Sequence, residues 1–194
     1  VLTSGGDAPG MNAAIRAIVK TARYKDIDVI GVKRGYTGLL KEEMFLLMNE
    51  HVAGIIHQGG TILKTARSKD FMTPEGRKIA HDNLKASGVD SLVVIGGDGS
   101  FTGAEIFNEE FGFAVIGIPG TIDNDIFGTS HTLGYDTALN TVVDAIDKIR
   151  DTANSHNRLF FVEVMGRDAG HIALNAGIGA GAEEIFIPEE AFGL

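Results

Sequence analysis

Residues 91–100 read SLVVIGGDGS and combine the two features on which the fold prediction depends. Residues 91–95 form an apolar run typical of a strand that is buried on both faces of a parallel sheet. The Gly-rich stretch after it predicts a turn, and residues 101–111 have the pattern of a helix. Open α/β sheets bind ligands where such turns leave the carboxyl ends of parallel strands. Asp98 is therefore a candidate for binding metal or phosphate, with an ordinary Asx turn as the alternative.

The same order of strand, loop and helix recurs along the chain and predicts the fold class. Further strands are predicted over residues 1–4, 28–32, 114–118, 159–164 and 184–187, and helices over residues 11–22, 52–56, 74–87, 136–149 and 172–179. Such alternation is typical of a mostly parallel α/β sheet with helices on both faces, a three-layer α/β/α architecture. A domain boundary is predicted near residues 133–135.

Composition restricts the class of function. The 194 residues carry a formal net charge of −9 and no cysteine. An acidic chain lacks the basic patch of nucleic-acid-binding and acidic-membrane-binding proteins, and no apolar run approaches the length of a membrane span. We therefore expect a cytoplasmic protein without nucleic-acid or membrane partners and without thiolate chemistry. Because residue 1 already lies within a predicted strand, we also expect a fragment of a longer chain.

Residues 5–10 (GGDAPG), which we call the first Gly-rich turn because they come earlier in the chain, join the first predicted strand to the first predicted helix. Glycines let a phosphate approach the backbone closely, and the free N–H groups of a helix start favour an anion. The spacing differs from the G-x-G-x-x-G dinucleotide fingerprint. The turn is thus a candidate phosphate site, and a purely structural tight turn is the alternative.

Residues 119–125 (PGTIDND) follow another predicted strand, which the proline and glycine are expected to end. If the backbone stays extended, Thr121, Asp123 and Asp125 share one face, because alternate side chains of an extended chain do so. In isolation such a sequence is more typical of a solvated turn.

Four loops at the carboxyl ends of strands together carry glycines, three aspartates and two arginines, namely Asp98, Asp123, Asp125, Arg67 and Arg167. Phosphoryl transfer uses a base for the acceptor hydroxyl, a metal that bridges phosphate oxygens, and arginines that neutralise the transferring group. Neither the P-loop motif nor the His-Arg-Asp loop of protein kinases occurs. The loops therefore predict a kinase of another design.

The chain strongly resembles the 6-phosphofructokinases over essentially its whole length. The matching stretches are residues 5–12, 59–61, 66–67, 96–100, 119–125 and 162–167. The resemblance implies the phosphofructokinase fold of two similar Rossmann-like domains, with an ATP-binding domain over 1–134 and an incomplete fructose 6-phosphate-binding domain over 135–194. It also implies transfer of the ATP γ-phosphate to the 1-hydroxyl of fructose 6-phosphate in glycolysis, with Mg²⁺.

The resemblance further implies roles for individual residues. Among the catalytic residues, Asp123 would be the general base, and Asp125 would assist at the metal and the reacting centre. Thr121 would hold the sugar or the transferring phosphoryl group, and Arg167 would stabilise the transition state. The ATP contacts would be Gly6, Tyr36, Arg67, Ser68, Gly97, Asp98, Gly99 and Ser100, with Asp98 also on Mg²⁺. The sugar phosphate contacts would be Thr121, Asp123, Arg158, Met165, Gly166 and Arg167. Because Arg158 matches a residue that reaches a neighbouring subunit, a homotetramer is implied.

Two small residues favour ATP over pyrophosphate as the phosphoryl donor. Pyrophosphate-using relatives carry Asp where Gly99 stands and Lys where Gly120 stands, and those side chains would fill the space of the nucleotide α-phosphate. Residues 135–138 (YDTA) instead resemble the pyrophosphate-dependent or divergent branches. A pyrophosphate-dependent enzyme is the alternative within this class, and a non-catalytic regulatory relative is the alternative in another class. Such a relative is expected to lose the loop aspartates.

An effector site for ADP or phosphoenolpyruvate, which bacterial relatives have between subunits, is matched in part. The matching residues are Arg16, Lys20, Arg150 and Glu183. Lys20 and Asn49 stand where arginine is usual, and Gly54 stands where aspartate is usual. Lysine cannot offer the bidentate fork that arginine gives a phosphate, so a weak or altered effector response is expected.

Overall fold

The computed structural model describes residues 1–156 and 158–190. The chain contains two compact units, Val1–Thr121 and Ile122–Leu194. Across the described ranges, no helix combines the length and the apolarity needed to cross a bilayer.

The first unit is a mostly parallel α/β sheet with helices, as the sequence predicts. Its strands are β1 (Leu2–Ser4), β2 (Ile30–Val32), β3 (Met44–Leu46), β4 (Ser91–Gly96) and β5 (Ala114–Thr121). Its α-helices are α1 (Met11–Tyr24), α2 (Gly35–Leu40), α3 (Pro74–Ala86) and α4 (Asp98–Phe111). These strands lie in the order β3-β2-β1-β4-β5, and each neighbouring pair is parallel except β2 with β3.

The register of the sheet places the carboxyl ends of β1, β4 and β5 side by side. Ser4 pairs with Gly96, and Gly96 pairs with Pro119. Because neighbouring strands lie about 4.8 Å apart, the turns that follow these three strands leave one edge of the sheet. We call this edge the strand-end edge.

An aromatic cluster forms the centre of the hydrophobic core in the first unit. Phe107 of α4 is fully buried, and its ring centroid lies 5.2 to 5.9 Å from those of Phe71, Phe111 and Phe113. Full burial of such a side chain stabilises a fold by roughly 1.5–3 kcal/mol. The cluster therefore fixes α4 against the sheet, and with it the residues at the start of α4.

Helix α3 begins as predicted and is joined to α4 by an ion pair. Thr73 Oγ1 accepts a hydrogen bond of 3.1 Å from the Gly76 N–H, and Pro74 occupies the first helical position. Arg77 donates two hydrogen bonds, each of 2.6 Å, to the carboxylate of Glu110. These hydrogen bonds lower the pKa of Glu110 below its ordinary value.

The second unit is mostly helical in its described part. It contains a two-residue strand, β6 (Leu133–Gly134), and the helices α5 (Tyr135–His156) and α6 (His171–Ala180). The Tyr135 hydroxyl donates to the His171 carbonyl oxygen at 3.3 Å and accepts a hydrogen bond of 2.8 Å from the Asn175 amide. These contacts tie the start of α5 to α6.

Three predicted elements of secondary structure are wrong. Residues 159–164 and 184–187, predicted as strands, lie in neither helix nor strand, and residues 52–56 form turns rather than a helix. A segment becomes a strand only where another backbone pairs with it, and a local apolar pattern does not reveal that partner.

Several boundaries also differ from the prediction. Strand β5 continues through Pro119 and Gly120 to Thr121. Proline lacks one N–H, but only alternate residues of a strand donate toward a given neighbour, so a strand tolerates proline where its nitrogen points away from that neighbour. Helix α4 begins at Asp98 rather than at residue 101.

Candidate active site

Close backbone packing at the strand-end edge requires glycine. A Cβ on Gly96, the last residue of β4, would lie 2.6 Å from the Ser4 carbonyl oxygen and 2.7 Å from Ser100 Oγ. Gly5 has a φ of +86°, which side chains disfavour, and its own Cβ would lie 3.5 Å from Ser100 Oγ. The first Gly-rich turn therefore packs directly against the start of α4.

The first turn of α4 lies at this edge. Gly97 precedes the helix, and a Cβ on Gly97 would lie 3.8 Å from Thr121 Cβ at the end of β5. Asp98 and Gly99 are exposed, and a Cβ on Gly99 would have no neighbour within 4 Å. The N–H groups of a first helical turn have no partner within the helix and favour an anion. The start of α4 therefore suits a phosphate group.

The donor set at Asp98 fits Mg²⁺ in one particular mode. Mg²⁺ commonly takes one or two protein carboxylates and completes its octahedron with water and substrate phosphate oxygens. Asp98 offers an exposed carboxylate beside the phosphate-compatible helix start. In residues 1–156 and 158–190, no group of three or more His, Cys, Asp or Glu residues could hold a metal ion. The site therefore fits an ion shared with a phosphorylated ligand.

Tyr36 supports the start of α4 from the protein interior. Its side chain is buried, stacks on Phe71 with ring centroids 3.9 Å apart, and donates a hydrogen bond of 2.6 Å to the Ser100 carbonyl oxygen. Burial raises the pKa of the Tyr36 hydroxyl, so it remains a protonated donor. The resemblance implies that Tyr36 also contacts ATP, and that role stays a prediction.

Arg67 and Ser68 lie in an irregular segment that reaches the same edge. The Arg67 side chain is exposed, and Ser68 Oγ accepts a hydrogen bond of 3.3 Å from the Phe71 N–H. Thr65 Oγ1 donates a hydrogen bond of 2.6 Å to the Gly5 carbonyl oxygen. The chain thus meets the first Gly-rich turn two residues before Arg67.

Gly99 and Gly120, the two positions expected to select the donor, have different surroundings. Gly99 borders open space, whereas a Cβ on Gly120 would lie 3.0 Å from Ile95 Cγ2 and 3.2 Å from Met11 Cε. The space beside Gly120 is therefore filled by core side chains in the first unit. Its missing side chain serves close packing between β5, β4 and α1.

In the second unit, Asn124 lies in a left-handed conformation between the two predicted catalytic aspartates. Its φ is +54°, its Oδ1 accepts a hydrogen bond of 2.9 Å from the Thr132 N–H, and its Nδ2 donates to the Ser130 carbonyl oxygen at 3.4 Å. Because Asn124 is not extended, the condition under which Asp123 and Asp125 would share one face of an extended chain is not met. Asp123 is half-buried and Asp125 is exposed.

Arg167 also has an uncommon backbone conformation. Its φ is +54°, and the preceding Gly166 has a φ of +154°. Strained residues of this kind cluster at functional sites. Residues 163–167 line an open pocket with a volume of about 490 Å³. The Met165 and Arg167 side chains are exposed. Arg158 is exposed as well.

The predicted effector residues make contacts within their own units. Arg16 of α1 donates a hydrogen bond of 2.9 Å to the Val52 carbonyl oxygen, and Lys20 is exposed one turn further along the helix. Arg150 donates to two carbonyl oxygens at the end of α6 and lies 3.6 Å from the Glu183 carboxylate.

Sequence reasoning missed Asn12, which lies in α1 and is 2% exposed. Its amide forms three hydrogen bonds with residues 58–62. A polar residue beside an apolar helical position is only a weak signal for such a contact, because exposed and buried amides give the same local pattern.

The Phosphofructokinase family model matches residues 1–194. The chain belongs to the phosphofructokinase family. Among curated members, it is 64% identical over 189 residues to "ATP-dependent 6-phosphofructokinase 2" of Bacteroides thetaiotaomicron, covering 97% of this chain and 58% of the relative. It is 59% identical over 190 residues to "ATP-dependent 6-phosphofructokinase 1" of Thermus thermophilus, covering 98% and 59%. The chain thus spans less than two thirds of the length of these phosphofructokinases.

Solved phosphofructokinase structures share the fold. The phosphofructokinase of Saccharomyces cerevisiae gives a TM-score of 0.94 at 44% identity, covering 98% of this chain and 29% of that one. The pyrophosphate-dependent phosphofructokinase of Marinobacter aquaeolei gives a TM-score of 0.81 at 26% identity, covering 98% and 52%.

Proposed function

We propose that the protein containing this chain is an ATP-dependent 6-phosphofructokinase that converts fructose 6-phosphate to fructose 1,6-bisphosphate. The observation that carries the proposal is the register of Ser4, Gly96 and Pro119, because it brings two Gly-rich turns and Asp98 to one edge of the sheet. The names of the relatives from B. thetaiotaomicron and T. thermophilus support the same reaction.

In this proposal ATP binds to the domain over residues 1–134. Backbone N–H groups of the two Gly-rich turns hold its phosphates, and the Arg67 guanidinium neutralises part of their charge. The remaining contacts are those implied by the family resemblance, at Gly6, Tyr36, Ser68, Gly97, Gly99 and Ser100. Asp98 would hold Mg²⁺ together with phosphate oxygens, with Asp125 assisting, and such an ion neutralises charge on the β- and γ-phosphates.

The sugar phosphate binds to the domain that starts at residue 135, with Asp123 as the general base. Asp123 takes the proton of the 1-hydroxyl as that oxygen attacks the γ-phosphorus and the bond to the β–γ bridging oxygen breaks. A positioned base of this kind contributes about 10²–10⁴-fold to the rate. Thr121 orients the transferring group, and Arg167 stabilises its charge. Met165, Gly166 and Arg158 contact the sugar phosphate.

A coupled assay of the full-length protein with each phosphoryl donor tests the proposal. We expect turnover of fructose 6-phosphate with ATP and Mg²⁺ and none with pyrophosphate. Turnover with pyrophosphate alone would reverse the donor assignment. Turnover with neither donor, in protein shown by calorimetry to be folded, would favour a non-catalytic regulatory relative.

Two observations favour pyrophosphate as the alternative donor. The chain has Asp136 in the sequence YDTA, and it resembles the pyrophosphate-dependent structure from M. aquaeolei. Open space beside Gly99, where an aspartate would stand in that branch, supports ATP. The argument for ATP therefore depends more on Gly99 than on Gly120.

We further propose that the enzyme is a cytoplasmic homotetramer in which Arg158 serves a neighbouring subunit. Native mass spectrometry of the full-length protein is expected to give the mass of four chains, and a monomer would contradict this assembly. The effector response is expected to be weak, because Lys20 replaces an arginine of the site formed with Arg16, Arg150 and Glu183. Ordinary activation by ADP and inhibition by phosphoenolpyruvate would contradict that expectation.

A further inference from the structure

We propose that Asn12 and Thr65 are positioning residues for the nucleotide. Their side chains hold the irregular segment 58–68, which carries Arg67, against the first Gly-rich turn. The inference rests on the proposed function, because it concerns the ATP site. According to this inference, the two residues set the distance between Arg67 and the first Gly-rich turn.

The Asn12 side-chain amide holds the loop over residues 58–62 through three hydrogen bonds to its backbone. Its Nδ2 donates hydrogen bonds of 3.1 Å to the carbonyl oxygens of both Gln58 and Gly59, and its Oδ1 accepts one of 2.8 Å from the Ile62 N–H. The donor nitrogen and the acceptor oxygen of the amide thus both bind one short stretch of backbone. Because Asn12 lies in the first turn of α1, these bonds fix the loop relative to the helix that follows the Gly-rich turn.

A second attachment joins the segment to β1. Thr3 is fully buried, and its Oγ1 donates a hydrogen bond of 2.9 Å to the Lys64 carbonyl oxygen and lies 3.0 Å from Thr61 Oγ1. Lys64 has a φ of +58°, a conformation that persists where neighbouring contacts enforce it. This attachment turns the chain toward the strand-end edge.

The third attachment reaches the Gly-rich turn itself. Thr65 Oγ1 donates a short hydrogen bond of 2.6 Å to the Gly5 carbonyl oxygen. Gly5 is left-handed, and the hydrogen bond constrains the direction of the peptide unit that precedes Gly6. Thr65 therefore connects the turn directly to the residues that bear Arg67.

These attachments add to two other contacts of the segment: the Leu63 side chain is fully buried, and the Leu63 carbonyl oxygen accepts a hydrogen bond of 2.8 Å from the Arg34 N–H. Residues 58–68 contain neither helix nor strand. Arg67 is exposed, so its guanidinium takes its location from the backbone beneath it. Hydrogen bonds to α1, β1 and Gly5 thus help to fix a segment that has no helix or strand of its own.

Steady-state kinetics of full-length variants test the inference. Thr65→Val removes one hydroxyl at nearly constant volume, and we expect the KM for ATP to rise about three- to tenfold, the loss of one hydrogen bond. The kcat and the KM for fructose 6-phosphate should change less than about twofold, in keeping with a loss of ATP binding alone. Thr65→Ser keeps the hydroxyl and should restore the wild-type KM. Asn12→Leu should raise the KM for ATP further, with a lower Tm.

Matched controls separate positioning from stability. Asn108→Leu removes an amide that donates a hydrogen bond of 2.8 Å to the Phe113 carbonyl oxygen at the far end of α4, and Thr141→Val removes a hydroxyl in α5. Both should leave the KM for ATP unchanged. If Asn12→Leu does not fold, Thr65→Val with Thr65→Ser decides the question. An unchanged KM for ATP in Thr65→Val would overturn the positioning role, whereas absence of ATP turnover in the wild type would overturn the proposed function.

Discussion

Gly99 and Gly120 lack the same side-chain atom for different physical reasons. Gly99 stands in the exposed first turn of α4, whereas Gly120 stands over Ile95 and Met11 in the core. A side chain at Gly99 would extend into the space proposed for the nucleotide. A side chain at Gly120 would first have to displace the core.

The first prediction compares these two glycines. Gly99→Asp should leave the Tm of the full-length protein unchanged or slightly raised, because an acidic side chain suits a first helical turn. It should raise the KM for ATP at least about tenfold, because a carboxylate there repels phosphate. Gly120→Ala should instead lower the Tm by a few degrees, since overpacking a core costs about 1–3 kcal/mol. Equal effects of the two variants on KM would contradict the distinction.

The second prediction concerns the proposed base. Asp123→Ser should lower kcat by about 10²–10⁴-fold, the usual contribution of general base catalysis, with little change in the KM for fructose 6-phosphate. Asp151→Ser, on the exposed surface of α5, is the control and should retain full activity. Comparable kcat values for the two variants would exclude Asp123 as the base.

At the scale of elements, the ion pair between α3 and α4 differs from the surface pairs elsewhere in the chain. Arg77 is mostly buried and uses two hydrogen bonds to Glu110, whereas Lys78 and Asp82 form a single exposed pair of 2.8 Å. Glu110 is itself exposed, but its removal would leave the mostly buried Arg77 charge uncompensated, whereas pairs in which both side chains are exposed contribute little.

The third prediction follows from the direction of the pKa shift. Hydrogen bonds from Arg77 lower the pKa of Glu110. The ionised carboxylate therefore stabilises the fold above its unfolded pKa, and this contribution is lost as the pH falls through the lower folded pKa. Glu110→Gln should lower the Tm by several degrees at pH 7, and the difference from wild type should shrink below about pH 4. Thermal unfolding at both pH values measures it.

The control for this measurement is Asp82→Asn, which removes one carboxylate of the exposed pair. Hydrogen bonds from Lys78 and His81 lower the pKa of Asp82, but the side chains remain in water. Its Tm should stay close to that of the wild type at pH 7. A larger loss of Tm in Asp82→Asn than in Glu110→Gln would contradict the assigned importance of the pair between Arg77 and Glu110.

At the scale of the whole molecule, the sequence predicts the strand-end edge well, but it predicts poorly the long-range contacts that hold the neighbouring loop in place. The apolar run 91–95 and the glycines after it are local signals, so β4 and the turn that follows it are predicted within about three residues. Asn12 contacts residues that lie 46 to 50 positions away, and no local pattern reports such a contact. The missing strands at 159–164 and 184–187 fail for the same reason, because pairing is decided elsewhere in the chain.

The parallel register of β1 has a consequence for the order of folding. Leu2 pairs with Val94, so the chain must close a loop of about ninety residues before this part of the strand-end edge exists. Distant parallel pairings of this kind form slowly because loop entropy is lost before contacts are gained. Pulse-labelled hydrogen exchange during refolding should therefore show amides of α3 protected before those of β1. Simultaneous protection would contradict this order. A ribosome making this chain must accordingly release β4 before its first strand has a parallel neighbour on that side, so this part of the strand-end edge cannot form until residue 96 has emerged.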